Sequence, residues 1–93
     1  METTVTHDKE YQQFTVALGE DDAELAYSTP AENTLDFTHT YVPVAARGKG
    51  LANKLIEAGM QYAKSNNLKV IATCPVVAKY VEQHDEYKSL LKI

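Results

Sequence analysis

Ninety-three residues with 44% hydrophobic side chains, nine Lys and Arg against thirteen Asp and Glu, and a formal charge of −4 fit one α/β-sized domain and leave no length for a second core. The acidic balance offers no basic face for counterion release, so nucleic acid is not an expected partner. A single cysteine forms no internal disulfide, and there is neither an apolar run near 18 residues nor a hydrophobic leader at residues 1–6; the expectation is a soluble protein of the reducing cytoplasm with no membrane partner.

Along the chain, residues 13–18 alternate with Phe14, Val16 and Leu18 on one side and predict a first strand, turned by residues 19–22 into a second at 23–28. His7 falls in a polar terminus ahead of it. Residues 29–33, with Pro30 and Asn33, read as a loop. Residues 34–42 alternate strictly, which predicts a strand with Leu35, Phe37, His39 and Tyr41 on one face. Pro43 lacks an N–H and interrupts the ladder. From Gly50 the apolar period becomes helical, with Leu51, Leu55, Ala58 or Gly59, and Tyr62 in one stripe flanked by Ala52, Ile56 and Ala63, until Ser65, Asn66 and Asn67 end it. Residues 69–74 predict a short buried strand. A helix opens at Pro75, where a fixed φ suits the first turn, with Val77, Tyr80 and Val81 as its apolar side. Residues 84–87 break it, with His84 beside Asp85 and Glu86 as an end-capping cluster, and the last six residues suit another helical turn. The order β-β-β-α-β-α predicts an α/β fold in which an antiparallel meander carries a parallel β-α-β crossover.

The segment ARGKGLANKL, residues 46–55, gathers Arg47, Lys49 and Lys54 with no acid, while acids crowd residues 20–24. It lies where a strand hands over to a helix, so the first unsatisfied N–H groups of the helix face outward. Gly48 and Gly50 remove Cβ atoms that would hold an oxyanion off the backbone, and the helix dipole adds about 0.3 to 2 kcal/mol per anionic contact. An oxyanion such as a phosphate is the expected ligand. A Walker loop is excluded because Gly50, not Ser or Thr, follows Lys49, and a dinucleotide fingerprint needs a glycine where Asn53 stands.

Arg47, Gly50 and Ala52 match the Gln/Arg-x-x-Gly-x-Gly/Ala signature of the GNAT superfamily of acetyl-coenzyme A-dependent N-acetyltransferases. Residues 39–52 and 74–87 together resemble the short, single-domain GNAT-like proteins, and the resemblance extends over about residues 11–90 of one domain taken as 1–93. It implies a minimal GNAT-like fold with splayed central strands. It also implies coenzyme A or acetyl-coenzyme A as cofactor, with the diphosphate on the backbone of Gly48, Lys49, Gly50, Leu51 and Ala52 beside Arg47, and pantetheine paired with the splayed strand at Val42 and Val44. Tyr80 sits where many relatives carry a tyrosine that protonates the leaving thiolate, although the Ala78 to Tyr80 spacing and the missing asparagine depart from their pattern and favour the alternative of a tyrosine packed in the core.

Acetyl transfer from a thioester needs an amine freed of its proton, stabilisation of the oxyanion and a proton for the departing thiolate. Cys74, just before Pro75, stands near a helix N-terminus that favours its thiolate; it is read as an acyl-relay nucleophile or proton donor, with a buried structural cysteine as the alternative. His39 is read as a base, with a hydrogen-bonded strand histidine as its alternative. No His or Cys spacing supports a metal. Longer relatives place helices between their first two strands and strands after the last helix to shape an acceptor pocket, parts for which these 93 residues have no counterpart. Three functions follow: an acetyltransferase acting on an unidentified amine, on a protein or polyamine, with residues 20–24 as a cation-attracting rim; a non-catalytic coenzyme A-binding module; or a protein-interaction domain derived from this fold.

Overall fold

The computed structural model describes residues 4–19 and 21–92; the leader reading at residues 1–3 and the share of Glu20 in the acidic run lie outside them. Five strands form one mixed sheet in the order β1-β2-β3-β4-β5. They are β1 (Val5–Asp8), β2 (Gln13–Val16), β3 (Ala23–Ala31), β4 (Thr34–Tyr41) and β5 (Lys69–Ala72). The first four are antiparallel neighbours, and β5 runs parallel to β4. Helix α1 (Leu51–Ser65) makes the crossover, α2 (Pro75–Glu82) follows β5, and a 3-10 helix (Asp85–Leu90) leads to Leu91, which bridges back to Val70. None of the described helices is long and apolar enough to cross a membrane.

The sequence predicts three strands before the central helix; there are four. β1 is short and mostly polar, and it holds its place through Val5, packed against the core, and through His7. The His7 ring stacks on Phe14 at 4.2 Å, meets Tyr62 edge-on at 4.4 Å, and shares a 2.6 Å hydrogen bond with the Tyr27 hydroxyl. Burial, aided by Lys9 and opposed by Asp8, holds the imidazole below its ordinary pKa, as suits a neutral ring in an aromatic cluster. The hairpin between β1 and β2, at residues 9–12, thus occupies the place assigned above to the turn at 19–22 as the first connection of the sheet.

Residues 29–31 also belong to β3 and not to a loop. Pro30 is tolerated because the register slips between Ser28 and Ala31, where the missing N–H leaves no broken ladder bond. Only Glu32 and Asn33 form the turn, with Asn33 at φ 55°.

α1 lies against β2 and β3 and buries Leu51, Leu55, Ile56, Gly59, Met60 and Ala63, the face that the helical period selects. Gly59 is the point of closest approach: a Cβ there would lie 2.9 Å from Phe37 Cζ and 3.1 Å from Leu25 Cδ2, both in fully buried side chains. Tyr87, from the last 3-10 helix, is also fully buried and closes the core beneath α1 and α2.

Candidate functional site

Two irregularities in β4 build the site. The first is a bulge: the register passes from Tyr27↔Phe37 to Ala26↔His39, so Thr38 is an extra residue and the strict alternation breaks. Phe37 stays on the core side, but Thr40, paired with the buried Leu25, takes the inward place expected of His39 and Tyr41. His39 instead pairs with Ala26 and is exposed on the other face. The expectation that His39 shares a face with Phe37 is corrected by that one inserted residue, which a period-two reading of the sequence has no means of locating.

The second irregularity is the splay. β4 and β5 pair only from Thr34↔Lys69 to Phe37↔Ala72, and the Cys74 N–H donates to the Phe37 carbonyl at 2.9 Å. Beyond this, among the described residues no strand pairs with residues 38–41 of β4 on the β5 side, where the Cys74 thiol meets Thr40 instead. The strand ends at Tyr41, earlier than predicted. Val42 and Val44 do not extend it: Val44–Ala46 is a 3-10 turn capped by Pro43, the Val42 carbonyl accepts from Arg47 Nε at 3.0 Å, and the Val44 carbonyl accepts from the Arg47 N–H at 3.2 Å. The Val44 side chain is 76% exposed. Val42 and Val44 therefore lie in the turn that Pro43 starts and not on an open strand, and the part of β4 without a strand partner on the β5 side is residues 38–41.

After this turn the chain runs through Gly48 and Gly50, at φ 81° and 76°. Both need the left-handed backbone that glycine adopts without cost, and a Cβ on either would enter open space. Gly50 caps α1 with no side-chain bond, and among the described residues the amides of 48–53 find no protein acceptor. They border a cavity of about 180 Å³ lined by Val42, Ala46, Arg47, Gly48, Gly50, Leu51, Ala52 and Asn53. No described carboxylate pairs with Arg47, Lys49 or Lys54. Free amides, a helix N-terminus, two unshielded backbone positions and unpaired cations suit a diphosphate. On its other side the same loop borders a recess of about 390 Å³ that Leu18 and Asp21 share with Pro43, Ala45, Ala46 and Lys49. The acidic turn thus stands beside the loop, though Asp21 accepts from the Tyr41 hydroxyl at 2.6 Å and Asp22 from the Leu18 N–H at 3.1 Å. A larger depression, about 570 Å³, lies among Lys9, Tyr27, Asn33 and Tyr62; it holds none of these donors.

Cys74 is the N-cap of α2 and 6% exposed. Its Sγ lies 3.4 Å from Thr40 Oγ1. Burial alone would raise the thiol pKa, but the Thr40 hydroxyl, the amides of Val77 and Val76 and the Thr40 backbone outweigh it and hold the thiol below its ordinary value. Thr40 was not singled out by the sequence, because only the bulge turns it inward.

Tyr80 is differently placed from the proton donor that the resemblance implies. Its hydroxyl donates to Glu57 on α1, and burial followed by that bond raises its pKa far above the ordinary tyrosine value. Tyr87 donates to the same carboxylate at 2.7 Å, and its pKa is pushed up to about 12, by burial first. Neither hydroxyl is free to face a thiolate. Glu57, Gln61 and Tyr87 also escaped the sequence reading; the trace they leave is a carboxylate and an amide at i and i+4 flanking the buried stripe of α1.

Comparison with known proteins agrees with this geometry. Residues 13–90 match the family model of the GCN5-related N-acetyl-transferases. Protein NATD1 of Xenopus tropicalis is 39% identical over 82 residues, spanning 86% of this chain and 75% of that protein, and human Protein NATD1 is 38% identical, spanning 86% and 73%. The solution structure of a GCN5-like protein from Staphylococcus aureus superposes with a TM-score of 0.71 at 26% identity, over 96% of this chain and 87% of the other. The overall architecture is shared with that structure, and the chain belongs to the GCN5-related N-acetyltransferase family.

Proposed function

We propose that the chain binds acetyl-coenzyme A and transfers its acetyl group to an amine, with Cys74 as the group that meets the thioester. The observation that carries this reading is the pairing of two features on one splayed sheet: unclaimed amides at 48–53 beside Arg47 and Lys49, and a thiol kept acidic by Thr40 and the first turn of α2. The loop holds the diphosphate, and the open edge at residues 38–41 receives the amides of the pantetheine arm. When bound, the donor supplies an activated acyl carbon. The Cys74 thiolate then forms an S–acyl bond as the donor's C–S bond breaks, and the proton set free on Cys74 ionisation is available to the departing coenzyme A thiolate. Asp21 at the neighbouring recess favours a cationic acceptor.

A second reading, a coenzyme A-binding module without turnover, is favoured by specific findings: His39 faces away from the thiol, and the Tyr80 hydroxyl is committed to Glu57. Intact-mass measurement after incubation with acetyl-coenzyme A separates the two. Addition of one acetyl group, lost in Cys74→Ala, supports the relay. Binding with neither modification nor turnover across an amine panel supports the module, and an absence of binding removes both.

A further inference from the structure

α1 begins at the anion loop and α2 begins at Cys74, so the relation between the two helices sets how the loop and the thiol face one another. What joins them is polar. The Glu57 carboxylate, in the second turn of α1, accepts from the Tyr80 hydroxyl of α2, from the Tyr87 hydroxyl at 2.7 Å and from Gln61 Nε2 at 3.3 Å, while Gln61 also reaches the Tyr87 oxygen at 2.5 Å. The far side of Tyr80 is held as well: His84 stacks on its ring at 3.9 Å and donates from Nδ1 to its carbonyl at 2.7 Å. No described cation pairs with Glu57. A part-buried carboxylate met only by neutral donors adds little to stability that apolar side chains of equal volume would not supply. What it adds is direction: the Tyr80 bond ties α2 to α1 and the Tyr87 bond ties the 3-10 helix that follows α2 to the same carboxylate, while Gln61, on α1 itself, holds that carboxylate in place, where hydrocarbon contacts would let α2 slide.

We propose that Glu57 is a positioning residue: by clamping Tyr80 and Tyr87 it sets where α2 starts relative to α1, and so keeps the Cys74 thiol under its hydrogen-bond donors. The inference rests on the reading of Cys74 as the reacting group. Tyr80 lies one turn beyond Val77, whose amide acts on Cys74 Sγ, so a shift of α2 at Tyr80 is transmitted to the thiol through less than two helical turns. The other groups acting on the thiol are Thr40, through hydroxyl and backbone, and the Val76 amide; Glu57 is itself faced by Tyr80, Tyr87, Gln61 and, through space, His84.

The test is the thiol titration in the protein without coenzyme, read from the ¹³Cβ shift of Cys74, in wild type, Glu57→Gln and Tyr80→Phe. Coulomb's law alone predicts that removing a carboxylate makes a nearby thiol more acidic. Positioning predicts the opposite sign: in Glu57→Gln the midpoint rises by about half a pH unit or more as the donors fall out of line, and the thiolate fraction near neutral pH drops about threefold. Tyr80→Phe, which keeps the charge and removes one donor, moves the midpoint the same way. An unmoved or lowered midpoint in folded Glu57→Gln overturns the proposal; if that variant does not fold, Tyr80→Phe decides alone by the same criterion. Coenzyme A binding by wild type is measured separately, so failure of the coenzyme reading leaves the thiol result standing on its own.

Discussion

Gly59→Ala opposes two effects of known sign. Gly59 lies inside α1, where replacing glycine with alanine stabilises an unconstrained helix by about 1 kcal/mol. Against this, the added Cβ would meet Phe37 Cζ at 2.9 Å, Phe37 Cε1 at 3.0 Å and Leu25 Cδ2 at 3.1 Å. Carbon atoms pack at about 3.5 to 4.0 Å, so α1 and the sheet must separate by roughly half an ångström or a buried ring must leave its rotamer. Neither neighbour has room to yield, since Phe37 and Leu25 are fully buried. Overpacking of this kind costs about 1 to 3 kcal/mol, so the net is a loss of about 1 kcal/mol and a fall in Tm of about 4 to 8 °C for a domain this size. Thermal and urea unfolding measure it. Phe37→Leu in the same chain removes the clashing ring atoms, so the double mutant should lose less than the sum of the singles. A Gly59→Ala protein more stable than wild type would refute the reasoning, because propensity alone would then explain the residue.

Gly50→Asn keeps a left-handed backbone that asparagine tolerates but places a side chain in the open space over the loop; coenzyme A affinity measured by calorimetry should fall at least about tenfold, or about 1.4 kcal/mol, with Tm nearly unchanged. Thr40→Val deletes the hydroxyl on Cys74 Sγ at constant shape, so the pH midpoint of thiol alkylation should rise while the fold persists. The Tyr80 and Tyr87 hydroxyls hold the Glu57 carboxyl below its ordinary value of 4.5. That stabilisation is complete above pH 4.5 and lost as pH falls through the folded value; at the alkaline end the share of Tyr87 is complete below about pH 10 and lost towards about pH 12. Urea midpoints against pH should show both edges, and both should shrink in Tyr87→Phe. His7, whose pKa is lowered, stabilises above its ordinary value of 6.5 and loses that contribution as pH falls, so His7→Phe should flatten the decline in stability as pH falls below 6.5.

The crossover half of the fold was legible because its signals are local and redundant. The α1 stripe, the break at Pro43, the glycines at 48 and 50 and the Cys74-Pro75 joint each mark an element end by backbone chemistry, and the structure places each end within a few residues. What escaped depends on contacts distant in sequence. β1 is a strand because His7 finds Phe14, Tyr27 and Tyr62, none of them within six residues of it. The bulge at Thr38 exchanges His39 for Thr40 beside the thiol without altering the apparent alternation of residues 34–42. The Glu57 clamp joins three elements through side chains separated by 23 and 30 positions, and a sequence read one window at a time shows only an exposed-looking glutamate, one apolar-face tyrosine and a second tyrosine in a segment read as a helix break.

The account turns on where a diphosphate settles. Titrating ¹⁵N-labelled protein with coenzyme A, and with inorganic pyrophosphate as the smaller probe, reads that site directly. The account predicts that both ligands move the amide resonances of residues 48–53 most, with coenzyme A alone extending the change to residues 38–41 and Cys74. Largest shifts at Lys9, Asn33 and Tyr62, around the depression at the opposite end of β4, or no shift with either ligand, would contradict it.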